Sequence, residues 1–368
     1  MQQWTNARVL RTIGLMSGLL MMLAACDTAV PDTAGGAAAP GQQAPVSEQE
    51  APESEQATGH TGHGGDAAAG SDTETGEGAA GEAPSAAPDG PAGDDVTAAD
   101  WTPLADDEIG SVPDGAVRVA EFLADCPVSH FAADDPIVFP GQPGASHHHT
   151  FYGNTSTDAF SDLDSLLAAD SNCDPAEDLS AYWTPTMFEG DTPVEPEIVT
   201  FYYLGEGVRE DLIPQTQPMP QGLRMVAGNA MATGPDDASS RSRWSCLHVG
   251  DVGAGKDFVE CPEGSMLESY LDFPQCWNGT DLDSADHMGH MAYPVDGECP
   301  ATHPVQVPKL RQVIRYPVNG DTSDLRLASG AGSTMHGDFF NAWPQDEMAR
   351  RVRDCIRPSV KCGADGTP

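Results

Sequence analysis

The sequence has few basic residues. Lysine and arginine total 17 against 57 acidic residues in 368, and the formal net charge is −40. Three of the basic residues are lysines, at Lys256, Lys309 and Lys361. So little positive charge argues against a basic face of the kind that binds nucleic acids or anionic lipids. We therefore expect no nucleic-acid partner.

Long apolar runs are also lacking. The apolar stretch at 13–23 is shorter than the roughly 20 residues of a membrane-spanning helix. It follows Arg8 and Arg11 and ends in Leu23-Ala24-Ala25-Cys26. This is the layout of a secretory signal, and the tetrapeptide resembles a bacterial lipobox. We expect a signal peptide over 1–25 and a lipidated Cys26 that anchors an extracytoplasmic chain to the bacterial membrane; an ordinary signal peptide or an N-terminal membrane helix is the alternative.

The segment 27–108 lacks basic residues altogether, and Trp101 is its single aromatic residue. It carries 18 acidic residues among Ala, Gly, Pro, Ser and Thr. Such a composition cannot bury enough apolar area to offset the entropy cost of ordering. We predict a disordered acidic tether over 26–108 and a single globular domain over 109–368. His60 and His63 lie in this tether, where a mobile chain makes a poor metal site.

No Cys-x-x-Cys pair occurs, which disfavours a zinc site built from cysteines. Eight cysteines follow Cys26, and an even number in an exported chain predicts up to four disulfides. Eight cysteines allow 105 pairings, so the connectivity stays open, with Cys246–Cys261 and Cys355–Cys362 as local guesses. The eight are Cys126, Cys173, Cys246, Cys261, Cys276, Cys299, Cys355 and Cys362.

Helical periodicity is scarce, and Pro and Gly punctuate the domain. Short β-branched and aromatic runs predict strands at 117–122, 136–139, 198–203, 223–226 and 313–316. Apolar residues at helical spacing predict helices at 158–169 and 345–355. We therefore expect a mainly β fold: a disulfide-stapled, β-sandwich-like domain with long loops and a few short helices.

Several catalytic signatures are missing. The chain has no phosphate-binding loop, no dinucleotide fingerprint and no Gly-x-Ser-x-Gly nucleophile elbow. Histidines and acids remain as candidates. In an extended chain His147 and His149 point to one face and His148 to the other, and a His-x-His pair is a frequent metal chelate. The alternative is a packed or solvated strand with a chance run of histidines.

A second group of candidates lies between Cys276 and Cys299. A carboxylate beside an imidazole can orient it and raise its basicity, for a general base or a metal ligand. Asp283, Asp286 and His287 are therefore candidate catalytic residues, and His287 and His290 candidate metal ligands. The alternative is that these groups hydrogen-bond to each other and stabilise a disulfide-stapled loop.

A third group lies at 332–343. His336 and Asp338 are two residues apart and share a face if the segment is a strand, so both are candidate catalytic residues. Aromatic residues with one arginine are candidates for a sugar-stacking surface, although such rings more often belong to a core. These candidate substrate-binding residues are Trp277, Tyr293, Phe339, Trp343 and Arg224.

Several short motifs, which follow one another in the same order along the chain, resemble the family called domain of unknown function 1996. They are Asp135-Pro-Ile-Val, Ser146-His147-His148-His149, Gly222-Leu-Arg224-Met, Cys276-Trp277-Asn-Gly, Leu282-Asp283-Ser284 with His287 and His290, Cys299-Pro, and His336-Gly-Asp338-Phe339. The resemblance covers roughly 116–355. It implies an extracytoplasmic domain of the kind secreted by fungi and actinobacteria, and it implies no particular reaction. The family pattern has an apolar residue where this chain has His148.

Three functions remain open. The first is a surface-tethered domain that binds or processes envelope or environmental polysaccharide, as a hydrolase or lyase if it is an enzyme. In it the acids and histidines of all three groups would converge in one polar cleft. The second is a copper- or zinc-binding lipoprotein or metalloenzyme, with His147, His149, His287 and His290 as ligands. The third is a non-catalytic wall-adhesion module that uses the aromatic residues.

Overall fold

The structure is a computed structural model, and it describes Ala98 and residues 101–368. The expected signal peptide, the lipidation site Cys26, and His60 and His63 lie outside the described residues. The limits of the predicted tether and domain stay predictions. Contacts with the domain begin before residue 109: the ring of Trp101 meets Trp277 edge-on at 5.0 Å, and the Trp101 indole N–H donates to the carbonyl of Pro218.

The described part is mainly β, as predicted. Its strands are β1 Glu121–Asp125, β2 Val128–Ala132, β3 His149–Gly153, β4 Ala181–Pro185, β5 Met187–Glu189, β6 Thr192–Pro193, β7 Ile198–Leu204, β8 Arg224–Gly228, β9 Arg243–Cys246, β10 Gly250–Gly255, β11 Leu267–Asp272, β12 Cys276–Trp277, β13 Met291–Ala292, β14 Val305–Gln306, β15 Lys309–Tyr316, β16 Leu325–Leu327 and β17 His336–Phe340. Pairing between them is antiparallel.

Two larger sheets form the domain, with two small three-stranded sheets beside them. One has six strands in the order β1-β7-β15-β11-β9-β10, and the other has five in the order β2-β3-β4-β17-β8. The two sheets pack face to face through aromatic side chains: the ring of Tyr182 on β4 stacks on that of Phe201 on β7 at 3.6 Å. Phe339 on β17 joins this layer, 5.0 Å from Tyr182. Large apolar rings buried between sheets supply most of the stabilising area of such a core.

The predicted strands at 198–203, 223–226 and 313–316 are confirmed by β7, β8 and β15. The run at 117–122 overlaps only the start of β1. The predicted strand at 136–139 is wrong, because that segment is a turn. Oδ1 of Asp135 accepts hydrogen bonds from the backbone N–H groups of Ile137 and Val138 at 3.0 and 2.9 Å, which ties the chain into a turn.

The helices are short. α1 spans Leu163–Ala168 and begins with a capping box between Asp162 and Ser165. α2 spans Gln345–Arg351 and continues into a π-helical turn at Val352–Ile356. Two 3₁₀ turns lie at Glu210–Gln215 and Gly332–Thr334. In the part of the chain that the structure describes, no helix combines the length and apolarity needed to cross a bilayer.

The eight cysteines form four disulfides: Cys126–Cys173, Cys246–Cys261, Cys276–Cys299 and Cys355–Cys362. The prediction of four bridges is confirmed, and so are the two local pairs. Disulfides persist in oxidising compartments, so these bridges agree with an extracytoplasmic domain.

Candidate metal centre

Two histidines from distant parts of the chain lie level on the outer face of the five-stranded sheet. Strands β3 and β17 both pair antiparallel with β4, which lies between them, so they run parallel to each other. Phe151 on β3 and Asp338 on β17 both lie opposite Trp183. His149 and His336 each precede these residues by two positions. Because side chains alternate along a strand, His149 and His336 share one face at one level.

His147 completes a cluster of three imidazoles. Its Nε2 lies 3.1 Å from Nε2 of His336, and its ring centroid lies 4.3 Å from that of His149. His149 and His336 are buried and His147 is half-buried. His148 points the other way, where its Nδ1 is 2.9 Å from Oγ1 of Thr186. The alternation expected for the His-x-His segment is therefore present.

Backbone carbonyls set the tautomers of the two buried rings. Nδ1 of His149 lies 2.9 Å from the carbonyl of Asp134, and Nδ1 of His336 lies 3.0 Å from the carbonyl of Thr334. A carbonyl can only accept, so both Nδ1 atoms carry the proton and both Nε2 atoms carry a lone pair. Nε2 of His149 is buried and has no hydrogen-bond partner among the described residues. Rings held in this way are typical of metal ligands.

Burial keeps the three imidazoles neutral. Desolvation lowers the pKa of His147 to about 4. Desolvation, with His147 nearby, also lowers the pKa of His336 to about 4. For His149 desolvation, together with the neighbouring His147 and His336, holds the pKa well below its usual value. A metal ion binds neutral imidazole, so these rings are in the ligating form at neutral pH.

Two buried carboxyl groups adjoin the histidines. One oxygen each of Asp135 and Asp338 and one ring nitrogen of His149 all lie within 4.8 Å of one another. Asp338 is 1% exposed, and neither of its carboxyl oxygens has a hydrogen-bond partner in the described part of the chain. Burial, with Asp135 nearby, raises the pKa of Asp338 well above its usual value. Asp338 is therefore a buried polar group that the described part of the fold leaves without a hydrogen-bond partner.

Asp135 is held differently. Burial raises its pKa to about 6, although the N–H groups of Val138 and Ile137 and the nearby His287 act in the opposite direction. Sequence reasoning did not single out Asp135 as a site residue. The one sequence feature that pointed to Asp135 was its position as the first residue of the Asp-Pro-Ile-Val motif.

His287 forms a second group with Asp283 and Arg224. Its Nδ1 lies 3.0 Å from Oδ1 of Asp283, and Arg224 donates to Oδ2 of Asp283 at 3.3 Å. The hydrogen bond to Asp283 raises the pKa of His287, and the charge of Asp135 acts in the same direction. The guanidinium of Arg224 also stacks over Phe340 at 4.7 Å, so Arg224 packs against the same sheet face as the histidines.

His290 bonds to strand β8 and to its own loop, and Asp286 bonds within that loop. Nε2 of His290 donates to the carbonyl of Arg224 at 2.6 Å, and its Nδ1 lies 3.0 Å from Oγ of Ser284. Oδ1 of Asp286 accepts from that same hydroxyl at 2.7 Å and from the N–H of Gly289 at 2.7 Å. The carbonyl of Arg224 fixes Nε2 of His290, and Ser284 lies against its Nδ1, so His290 stays with this loop and does not join the histidine cluster. The structure thus joins His147 and His149 with His336, where we expected His287 and His290.

The expected stacking surface does not form. Trp277, Phe339 and Trp343 are all fully buried, so their rings present no face to a sugar. Trp343 instead donates through its indole N–H to the hydroxyl of Tyr203 at 3.0 Å inside the core. Tyr293 is half-buried, and the guanidinium of Arg241 covers its ring at 4.4 Å. The same residue types serve here as core, the alternative considered for them.

The fold and this cluster define a class: a mainly β, disulfide-stapled domain with a histidine–carboxylate centre on one sheet face. The chain belongs to the family described as Domain of unknown function (DUF1996), whose model matches residues 135–343. The match begins at Asp135 and includes all three clustered histidines and Asp338. Comparison with curated proteins found no match, and neither did comparison with solved structures.

Proposed function

We propose that the domain binds one divalent transition-metal ion, zinc or copper, through His147, His149 and His336. The observation that supports this most is the buried Nε2 lone pair of His149, which has no partner in the described chain and lies beside two other imidazoles. Burying an acceptor without a partner costs about 1–3 kcal/mol, and a bound ion would remove that cost.

The spacing of the ligand atoms fits one ion. Two nitrogens bound to one tetrahedral ion at ~2.0–2.1 Å lie about 3.3 Å apart. Nε2 of His147 and Nε2 of His336 are 3.1 Å apart. Nitrogen ligands of this kind suit zinc and copper better than calcium or magnesium, which prefer oxygen.

Asp338 is the natural acidic partner of this ion. Neither of its carboxyl oxygens has a partner in the described chain, one of them lies within 4.8 Å of a ring nitrogen of His149, and a cation nearby would favour the ionised form. We assign Asp338 to the ion as the charge that balances it.

A measurement of metal content tests this proposal directly. The chain is loaded with zinc or with copper, dialysed, and analysed by elemental mass spectrometry. We expect about one equivalent of ion per chain, and loss of that ion in His147→Ala and His336→Gln. His303→Gln is the matched control, because His303 is half-buried away from the cluster and bonds to the carbonyl of Gly289. A folded chain that retains neither metal, or a control that loses as much as the variants, contradicts the proposal.

We also propose that the domain acts outside the cytoplasm, tethered through lipid on Cys26. Support comes from the four disulfides and from the signal-like start of the sequence. Two or three acyl chains give stable anchoring, whereas one gives marginal binding. Intact-mass analysis should therefore find an acylated peptide that begins at Cys26. The Cys26→Ser chain should leave the membrane fraction, and an unmodified N-terminal peptide would contradict the anchor.

A second candidate is the processing of polysaccharide by hydrolysis or elimination. The observation that favours it is the adjacent carboxyl pair Asp135 and Asp338, whose pKa values burial raises in both cases. Such pairs can divide the roles of acid and base. Asp283 and Asp286, first expected in those roles, are engaged by His287 and Arg224 and by loop N–H groups.

Polysaccharide screens with matched variants separate the two candidates. A processing enzyme would release reducing ends from an envelope or environmental polymer, and both Asp135→Asn and Asp338→Asn would abolish that release. Asp286→Asn should leave it unchanged. If the chain binds metal and turns over no polymer, metal binding is supported and polysaccharide processing is not.

A further inference from the structure

A group of arginines surrounds a cavity on the six-stranded sheet, apart from the histidine centre. The cavity measures about 270 Å³. Its lining residues are Arg241, Arg243, Tyr270, Asp272, Tyr293 and Arg311. Three of the 17 basic residues of the whole chain thus meet at one small cavity in a protein of net charge −40.

Strand register brings these side chains to one face. On β11, Tyr270 and Asp272 are two residues apart and so point the same way. Tyr270 lies opposite Arg243 on β9, and Asp272 lies opposite Arg311 on β15. The cavity floor is therefore built on neighbouring strands, where positions are well defined.

Each guanidinium is held in place before any ligand arrives. Arg241 stacks over Tyr293 at 4.4 Å and Arg243 over Tyr270 at 4.7 Å. Arg311 makes a two-pronged contact with Asp272, at 2.5 and 2.9 Å. A planar guanidinium fixed by stacking loses less conformational entropy on binding, so the fork of Arg241 is pre-organised for an oxyanion, whereas that of Arg311 is already occupied by Asp272.

The charge that this lining offers to a ligand comes from Arg241. Asp272 is the one carboxylate among the described lining residues, against three arginines. Asp272 is itself engaged by Arg311 and Lys309, and Glu206 pairs with both of these cations, so the charge of Arg311 is already balanced. Arg241 is exposed and makes no ion pair with a described residue; its contact is the ring of Tyr293. Its charge therefore remains available to a ligand at the cavity rim.

A second cavity of about 480 Å³ shares Arg241 and Arg243 with the first, and Lys256 also lines it. Small residues, Ala238, Ala254 and Gly255, also line it. Shared walls make a groove longer than a single small molecule, with positive charges along it. Such a groove suits a chain of polar units that carries repeated negative charge.

We propose that this groove binds an acidic saccharide chain, with the carboxylate of a uronic-acid unit held by Arg241 beside Arg243 and Arg311. Paired N–H donors of arginine match the two oxygens of a carboxylate. The inference concerns binding alone. It holds whether or not the chain processes polysaccharide, because Asp135 and Asp338 are not part of this groove.

Binding of defined oligosaccharides tests the groove. The probe is an oligogalacturonate, measured by calorimetry on the full chain, with the neutral galactose oligomer and inorganic sulfate as comparison ligands. We expect the acidic oligomer to bind and the neutral one not to bind. Binding should weaken as salt is raised, because the contact is between charges. Sulfate binding as tightly as the oligomer would reduce the site to a simple anion site and overturn the saccharide assignment.

Arg241→Gln should weaken oligogalacturonate binding about tenfold, the loss expected for one charge-assisted contact. Arg326→Gln is the matched control, because Arg326 is also an exposed arginine stacked on a ring, over Phe188 at 4.4 Å in a different sheet. The control should bind as the parent does. No binding of the acidic oligomer, equal binding of the neutral one, or equal weakening by both variants would each overturn the proposal.

Discussion

Nε2 of His147 and Nε2 of His336 lie 3.1 Å apart, although 189 positions separate the two residues in the chain. One comes from the loop that enters β3, and the other begins β17. An ion between them would therefore tie an early segment of the domain to a late one. Anything that binds the folded state and not the unfolded state raises stability by an amount that depends on its concentration and affinity.

Zinc or copper should raise the unfolding temperature of the chain. At a free-metal concentration of about 100 times Kd the expected gain is about 2.7 kcal/mol. His336→Gln removes one ligand, so its unfolding temperature should barely respond to metal. Differential scanning fluorimetry with and without metal measures both. The control His303→Gln should respond as the parent does, and a parent that does not respond would argue against an ion at this site.

Asp338→Asn should have opposite effects on the metal-free and the metal-bound chain. Without metal, Asp338 is a buried carboxyl with no partner in the described chain, and burial raises its pKa. A neutral amide avoids the cost of burying a charge, so the metal-free variant should be at least as stable as the parent. With metal, the variant loses a negative charge beside the ion, and metal affinity should fall by tenfold or more.

Urea unfolding of the chelated proteins and metal titration measure the two effects separately. Asp286→Asn is the comparison variant, because Asp286 lies in the exposed loop and caps N–H groups there. It should change neither metal affinity nor the sign of the metal response. A loss of stability in metal-free Asp338→Asn, with metal affinity unchanged, would assign Asp338 to the fold alone.

Acid should destabilise the metal-free domain through the neutral histidines. Burial holds the pKa of His336 at about 4 in the folded chain, below the value of about 6.5 in an unfolded one. The folded state thus binds fewer protons between these values, and the stability that His336 contributes is complete above pH ~6.5 and lost as pH falls towards ~4. The loss from His336 reaches at most about 3 kcal/mol. His149, also lowered, acts in the same direction.

The measurement is the free energy of unfolding of chelated parent and chelated His336→Gln across this pH range. Parent stability should fall more steeply than variant stability on acidification. Asp338 has a raised pKa, so its own contribution changes in the opposite direction, and it is present in both proteins. Parallel pH profiles would mean that folding does not lower the pKa of His336.

The sequence alone predicts the mainly β class and part of the histidine cluster. Runs such as 198–203 are strongly β-forming and became β7, whereas 136–139 looked similar and became a turn because the Asp135 side chain bonds to the N–H groups that follow it. Local composition cannot tell these cases apart when one side chain decides between them.

The histidine pair His147 and His149 was visible because alternation along a strand is a local rule. Their partner His336 was a candidate for another role, since no local pattern shows that β3 and β17 flank the same strand. The stacking surface failed for a related reason. Rings such as Trp343 are large enough to be either core or exposed platform, and only the sheet packing decides which.

Asp283→Asn should lower the pKa of His287. The hydrogen bond from Nδ1 of His287 to Asp283 is the largest cause of the raised pKa of this imidazole, and an asparagine there supplies no charge. Proton NMR of the His287 ring across pH measures the shift, with Asp286→Asn as the comparison, because Asp286 is not among the groups that set this pKa.

A raised folded pKa means that the contribution of His287 to stability is present below pH ~6.5 and lost as pH rises through the folded value. Asp283→Asn should therefore cost more stability at pH ~5.5 than at pH ~8, where only the pairing of Asp283 with Arg224 remains. An unchanged His287 titration in the variant would show that the ring is not paired with Asp283 in solution.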